Sequence, residues 1–229
     1  MDEGRALLYM LSETFCKGAL STFRLMPGGN GSRQATLYAY ALKTEDELRD
    51  TVRAFAPPEY VTLLGVRHLR SRPMPDSWPN EKRLAFDVRV RPVRRLFKPL
   101  EGWCLSTTRQ APKPFPKGAK VDAFLVAALR QFPNRPPDGF NTRQFRAETY
   151  LAWLRERLAP AARLEKATIA SADRKPALRK AAVSHGPDVI FQGELTVTDP
   201  ESFARILEAG VGRHTAYGYG MLLLRPAER

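Results

Sequence analysis

The stretch from Val189 to Leu224 constrains the fold of this chain more than any other. Residues 189 to 197, Val-Ile-Phe-Gln-Gly-Glu-Leu-Thr-Val, read as a strand. Asp199 is placed to cap a following helix, and Pro200 takes its first position, where a missing N–H costs nothing. Phe203, Ile206 and Leu207 supply that helix with an apolar stripe, and Gly210 is expected to end it in the left-handed conformation. A glycine-rich run leads from Gly210 to Gly220, and Tyr219 to Leu224 reads as a closing strand. Strand, capped helix, tight turn and strand form one half of a ferredoxin-like unit.

Similar signals recur upstream. Residues 35 to 42 read as a strand; Thr44 and Glu47 have capping-box spacing at the start of the next helix. Leu48, Val52 and Phe55 give that helix one apolar face, and Pro57-Pro58 stops it. Tyr60 to Leu69 reads as a returning strand. Residues 84 to 93 alternate with period two, which places Asp87, Arg89 and Arg91 on one face. In the second half a helix over 146 to 158 presents Tyr150, Leu151, Leu154 and Leu158, and a strand follows near 163 to 170. Residues 99 to 145 break the regularity with Lys113-Pro-Phe-Pro-Lys117 and Pro133-Asn-Arg-Pro-Pro137. They enclose an apolar helix candidate, Val121 to Phe132.

The expected class is therefore α+β, with tandem ferredoxin-like (RRM-like) domains and an inserted helical element. The expected division is 1–98, 99–145 and 146–229.

Charge narrows the partners. The 229 residues carry 37 Lys+Arg against 24 Asp+Glu, a formal net charge of +13. Such a surplus favours polyanions, because each cation set on a phosphate releases condensed counterions. Ten of the 37 are lysine, so arginine supplies the other 27, and guanidinium grips phosphate bidentately and stacks on bases. Cys16 and Cys104 are isolated, so neither a disulfide framework nor a metal site is expected. No apolar run approaches the roughly 20 residues of a membrane span. Met1-Asp2-Glu3-Gly4 lacks the basic region of a signal peptide, which makes the cytoplasm the expected location.

The segment Gly210-Val-Gly-Arg-His-Thr-Ala-Tyr-Gly-Tyr-Gly220 holds the chemistry legible at this level. Its glycines allow positive φ and close backbone approach. Arg213 and His214 add donors among amides that suit a phosphate, and Tyr217 and Tyr219 present faces on which bases stack. The run follows a helix and enters a strand, the reverse of a dinucleotide-binding motif.

Phe191-x-Gly-x-Leu-x-Val197, then Asp199-Pro200, then Gly210-Val-Gly-Arg-x-x-Ala-Tyr-Gly-Tyr-Gly-Met-Leu-Leu-Leu224, resembles the C-terminal half of the CRISPR repeat-processing endoribonucleases of the RAMP superfamily, in their type I-E Cascade form. Glu148 to Leu158 resembles a helix of that family, and Arg83 to Arg95 its central strand with a basic end.

The resemblance implies metal-independent, cofactor-free cleavage of CRISPR repeat RNA by attack of a ribose 2′-hydroxyl, leaving a 2′,3′-cyclic phosphate. It also implies partners: the repeat hairpin, kept after cleavage, and other subunits of a CRISPR ribonucleoprotein complex.

One departure bears on mechanism. Type I-E enzymes carry a catalytic histidine near the start of their first helix. The matching stretch here is Glu45-Asp46-Glu47-Leu48-Arg49, so Arg49 stands in its place. Guanidinium is a poor general base but a good anion stabiliser. The chain also carries an N-terminal extension with Phe23-Arg24 and Gly28 to Arg33. Divergent type IV relatives rely on arginines in place of histidine. The likeness to them implies that Arg24, Arg33 and Arg49 line the scissile phosphate.

Among the three histidines, His68 falls on the expected strand Tyr60–Leu69, His185 in an expected loop, and His214 in the glycine run as a candidate for proton transfer. Gly210, Gly212, Arg213, Tyr217 and Gly218 are expected to hold RNA. So are Lys113, Lys117 and Lys120 of the insertion, and Arg174, Lys175, Arg179 and Lys180 of an expected mobile basic loop, Ser171 to Lys180. Two other readings stand beside the nuclease: a non-catalytic RNA-binding subunit of a CRISPR effector complex, and a basic ribosome- or tRNA-associated protein, which rests on charge alone.

Overall fold

The computed structural model describes residues 3–29, 32, 34–75, 77–101, 114–179 and 182–227, with backbone alone described at 176–179 and 182–185. In chain order the elements are α1 Glu3–Phe15, β1 Leu20–Pro27, β2 Ala35–Ala41, α2 Glu45–Phe55, α3 Pro58–Leu63, β3 Arg83–Val90 and β4 Val93–Arg95. They continue with β5 Lys120–Asp122, α4 Ala123–Gln131, α5 Thr142–Leu158, β6 Ala162–Arg179, β7 Ala182–Val197, α6 Pro200–Ala209 and β8 Leu222–Pro226.

Alternation in β3 organises the larger half. Leu84, Phe86, Val88 and Val90 point into the core, while Arg83, Asp87 and Arg89 take the other face. The inward row packs with Phe191 and Leu195 of β7, Tyr150, Trp153, Leu154 and Leu158 of α5, and Phe203 and Leu207 of α6. The sheet runs β6-β7-β3-β8, antiparallel throughout. Taking these strands in chain order with α5 and α6 as the crossings gives the ferredoxin-like β-α-β-β-α-β path. Strand β3 pairs with β7 from Arg83↔Thr196 to Val90↔Val189. The alternating run expected to close the first half is thus the opening strand of the second. Its period shows that it is a strand with one buried face, and nothing local names its neighbour.

The first half is a β1-β2 hairpin carrying α1, α2 and α3, with Leu7, Leu11, Phe15, Phe23, Leu48 and Val52 among its core. Helix α1 and strand β1 lie in what the sequence showed only as an extension, although Leu7, Leu11 and Phe15 recur at helical spacing. The capping box of α2 forms as expected, Thr44 with Glu47. Leu48 and Val52 are buried, but Phe55 is exposed. Tyr60–Leu69 is not a strand: it forms α3 and a 3-10 turn, Val66–His68. Pro57 and Pro58 end α2 by forcing Ala56 extended, and Pro58 then opens a new helix, where proline is equally at home.

Side-chain hydrogen bonds tie the halves together. The half-buried Tyr40 hydroxyl donates to the Leu222 carbonyl at 2.6 Å, and burial pushes that phenol up to about 12. Arg24, fully buried, reaches across from β1 to Asp87 of β3. The insertion has structure of its own: β4 pairs β5, Asp122 caps α4, and Leu96, Val121 and Val126 form a small core.

Candidate nucleic-acid interface

Asp199 caps α6 as expected, its side chain accepting from the Ser202 amide. Gly210 then takes φ 80° with ψ 162°, a positive-φ conformation suited to glycine whose ψ differs from that of the left-handed cap expected. From there Val211 pairs with Gly220, and Gly220 donates to the Arg89 carbonyl at 2.7 Å, which ties the glycine run to β3. The run is packed as much as it is presented. A Cβ on Gly212, at φ 84°, would stand 2.9 Å from the Trp153 ring, and one on Gly4 of α1 would stand 2.5 Å from the Tyr217 carbonyl oxygen. Gly218 is buried beside Phe23 and offers no surface to RNA. Arg213 and Tyr217 are exposed; His214 is half-buried at φ 69°, its ring 6.3 Å from that of Tyr217.

Of the four residues expected to work on the scissile phosphate, the three that are described occupy separate places. Arg24 is 2% exposed and bound to Asp87, whose other carboxylate oxygen accepts from Gln192, so it is a tie between the halves and not a lining residue. Arg33 lies outside the described residues. Arg49 donates to Glu45 through Nε at 3.1 Å and Nη2 at 2.9 Å, and to the Leu69 carbonyl at 2.7 Å. Glu45 also accepts from the Ser71 amide; hydrogen bonds from Arg49 and Ser71 hold it below its ordinary value. Arg49 therefore clasps the 69–71 segment onto α2. His214 alone stays in the glycine run.

The basic residues are distributed more favourably. Ser171 to Arg179 is not a loop: β6 and β7 stay paired from Ser171↔Ile190 out to Arg179↔Ala182, forming a two-stranded ribbon beyond the end of β3. Main-chain pairing needs no apolar alternation, so a polar run extends a strand as readily as a loop. Arg174 reaches Asp122 at 3.7 Å and Lys175 reaches Asp188 at 3.4 Å; both remain about half exposed. Lys117 and Lys120 are exposed on the insertion. Lys113 and Lys180 fall outside the described residues, and only the backbone is described at Arg179 and His185.

One cleft was not visible in the sequence. A cavity of about 250 Å³ opens between α1, β1, the base of the ribbon and the turn Thr215–Tyr217, with Glu3, Phe23, Arg89, Lys175, Tyr217 and Tyr219 among its walls. At its floor Arg89 grips Asp188 bidentately, Nε to Oδ1 at 2.8 Å and Nη2 to Oδ2 at 2.7 Å. Arg91 donates to the Pro187 and Lys175 carbonyls, which fastens the ribbon base. The Tyr219 ring lies 4.7 Å from the Arg89 guanidinium and 5.4 Å from that of Arg91. Burial raises the Asp188 carboxyl, but the Arg89 hydrogen bonds and charge, with Lys175 beyond, hold it below its ordinary value. The Asp188 hydrogen bonds push Arg89 further up. Arg89 and Lys175 share the Asp188 carboxylate, and Arg91 adds its charge beside the Tyr219 ring, so the floor carries surplus positive charge that a phosphate would complement. The period-two run had put Asp87, Arg89 and Arg91 on one face; Asp188 and Glu3 carried no comparable signal.

No helix among the described residues is long and apolar enough to cross a membrane. The model of a family described as CRISPR associated protein matches residues 9–226. The structure of Thermus thermophilus Cse3 bound to an RNA representing a pre-cleavage complex is similar with a TM-score of 0.61 and 20% identity, over 98% of this chain and 90% of that one. CRISPR endoribonuclease Cse3 bound to 19 nt RNA gives 0.60 and 19%, over 98% and 91%. The CRISPR-associated protein Cas6e from Escherichia coli str. K-12 gives 0.60 and 15%, over 98% and 93%. No match was found among curated proteins. At these identities the likeness establishes the fold: mixed α+β with tandem ferredoxin-like domains and antiparallel sheets.

Proposed function

The chain belongs to the CRISPR-associated protein family, and from that premise we propose that it is a metal-independent endoribonuclease that cleaves CRISPR repeat RNA and stays bound to its product within a CRISPR ribonucleoprotein complex. The observation that carries this reading is the family match over residues 9–226, with a shared fold extending over nearly the whole of Cse3 structures solved with RNA. The surplus of +13 suits a polyanionic substrate.

The reaction is intramolecular. A ribose 2′-hydroxyl attacks the adjacent phosphorus, the bond to the 5′ oxygen breaks, and a 2′,3′-cyclic phosphate and a 5′-hydroxyl remain. The enzyme must align the nucleotide, accept one proton, donate another and stabilise the charge on the phosphorane. The exposed edge of the glycine run, Gly212, Arg213 and Tyr217, holds backbone phosphate and a base. Arg174, Lys175 and Arg179 of the ribbon, with Lys180 next in the sequence, and Lys113, Lys117 and Lys120 of the insertion, hold the hairpin. The replacement of histidine by Arg49 favours a type IV-like branch.

A second reading, a non-catalytic RNA-binding subunit, is favoured by one observation: Arg49 is committed to Glu45 and Leu69 where relatives place a catalytic histidine. A native gel with labelled repeat hairpin in EDTA separates the two. We expect a shifted complex holding cut RNA. A shifted complex holding intact RNA would contradict the nuclease and leave the binding subunit.

A further inference from the structure

We infer that the cleft between α1 and the glycine run is where the RNA is cut, with Lys175 donating the proton to the leaving oxygen and Glu3 accepting the proton of the attacking hydroxyl. The inference rests on the endoribonuclease reading and supplies the acid and base that reading leaves unnamed.

Three observations converge on it. Arg89 uses both Asp188 oxygens in its bidentate grip, so Lys175, 3.4 Å from Oδ2 and half exposed, is tethered rather than consumed. Its ammonium has three donors, and the cleft it lines has room for a phosphodiester. Glu3, exposed at the start of α1, is a wall of the same cleft and close enough for its charge to act on Arg89. A carboxylate and an ammonium thus border one positively charged floor. Tyr217, 38% exposed on the rim, offers a face for the base beside the cut.

Other groups suit the proton work less. Guanidinium does not give up its proton readily, and Arg24 is sealed against Asp87. His214 is not among the residues lining the cleft.

The step balances. As O2′ bonds to phosphorus, its proton passes to the Glu3 carboxylate; as the bond from phosphorus to O5′ breaks, Lys175 gives a proton to O5′. Arg89 and Lys175 offset the phosphorane charge, and exchange with solvent restores both groups.

The test replaces the bridging 5′ oxygen by sulfur at the cleavage position, mapped first with the unmodified chain and RNA. A thiolate leaves without a proton, so losing the acid matters only for the oxygen substrate. Lys175→Ala should slow the cutting of ordinary RNA about 100-fold more than it slows the cutting of the sulfur RNA. Lys175→Arg keeps the charge and should show the same pattern with RNA binding retained, which guards against loss of fold. Glu3→Gln should slow both substrates. Equal slowing of both RNAs by the Lys175 variants, or no slowing, would overturn the inference. An unmodified protein that binds but cuts neither RNA would overturn the endoribonuclease reading instead.

Discussion

Asp188 balances the charge at the base of the ribbon. Asp188→Asn would leave Arg89, 16% exposed, without the carboxylate it grips, a loss of about 3 kcal/mol when one partner of a buried pair is removed. Because the carboxyl is held below its ordinary value, its contribution is complete above the usual carboxylate range and fades as pH falls through its folded-state pKa. Thermal melts from pH 7 down to about pH 3 should therefore show the gap between the native protein and Asp188→Asn narrowing on the acid side; a gap independent of pH would contradict this role. Gly212→Ala meets both a positive φ and the Trp153 ring, and should cost about 2 kcal/mol by chemical denaturation. At this scale the legible features were local. Thr44, Glu47, Asp199 and Pro200 act on their own helix starts and do what their spacing predicts. Arg24 meets Asp87 across 63 positions of sequence, and no spacing announces such a pair.

Among the elements, α2, α4, α5, α6, β2 and β7 were visible because each carries its own period or cap. The ribbon was not. Its outer half is held by main-chain pairing, which leaves no apolar signature, so charge made it look like a loop. A ribbon fastened at its base through Arg91 would make a stiffer contact for the proposed RNA than a loop, since less freedom is lost on binding. Arg174→Ala combined with Arg179→Ala should weaken repeat binding and lower the salt slope of the logarithmic affinity by about 2, with the melting temperature nearly unchanged. Fluorescence anisotropy over a salt series measures it. Helix α1 was missed for another reason: Leu7, Leu11 and Phe15 have helical spacing, but the segment was read only as an extension. It contributes Glu3 and Gly4 to the wall of the cleft, so the part of the chain that seemed incidental borders its most chemical region.

For the whole molecule, the fold class followed from repeated strand and helix signals, whereas the assignment of β3 to the second sheet did not. A period fixes which face of a strand is buried, and only tertiary pairing fixes the neighbour. That pairing also explains why the glycine run sits where it does: Gly220 bonds to Arg89 of β3, and Arg89 floors the cleft beside it. The central claim is that this charged cleft and ribbon serve RNA cleavage by internal attack. It is tested most directly by the mass of the upstream product after incubation with repeat RNA in EDTA. We predict a 2′,3′-cyclic phosphate end, lighter by one water than a linear monophosphate. A 3′-hydroxyl end, or RNA recovered whole from the complex, would contradict it.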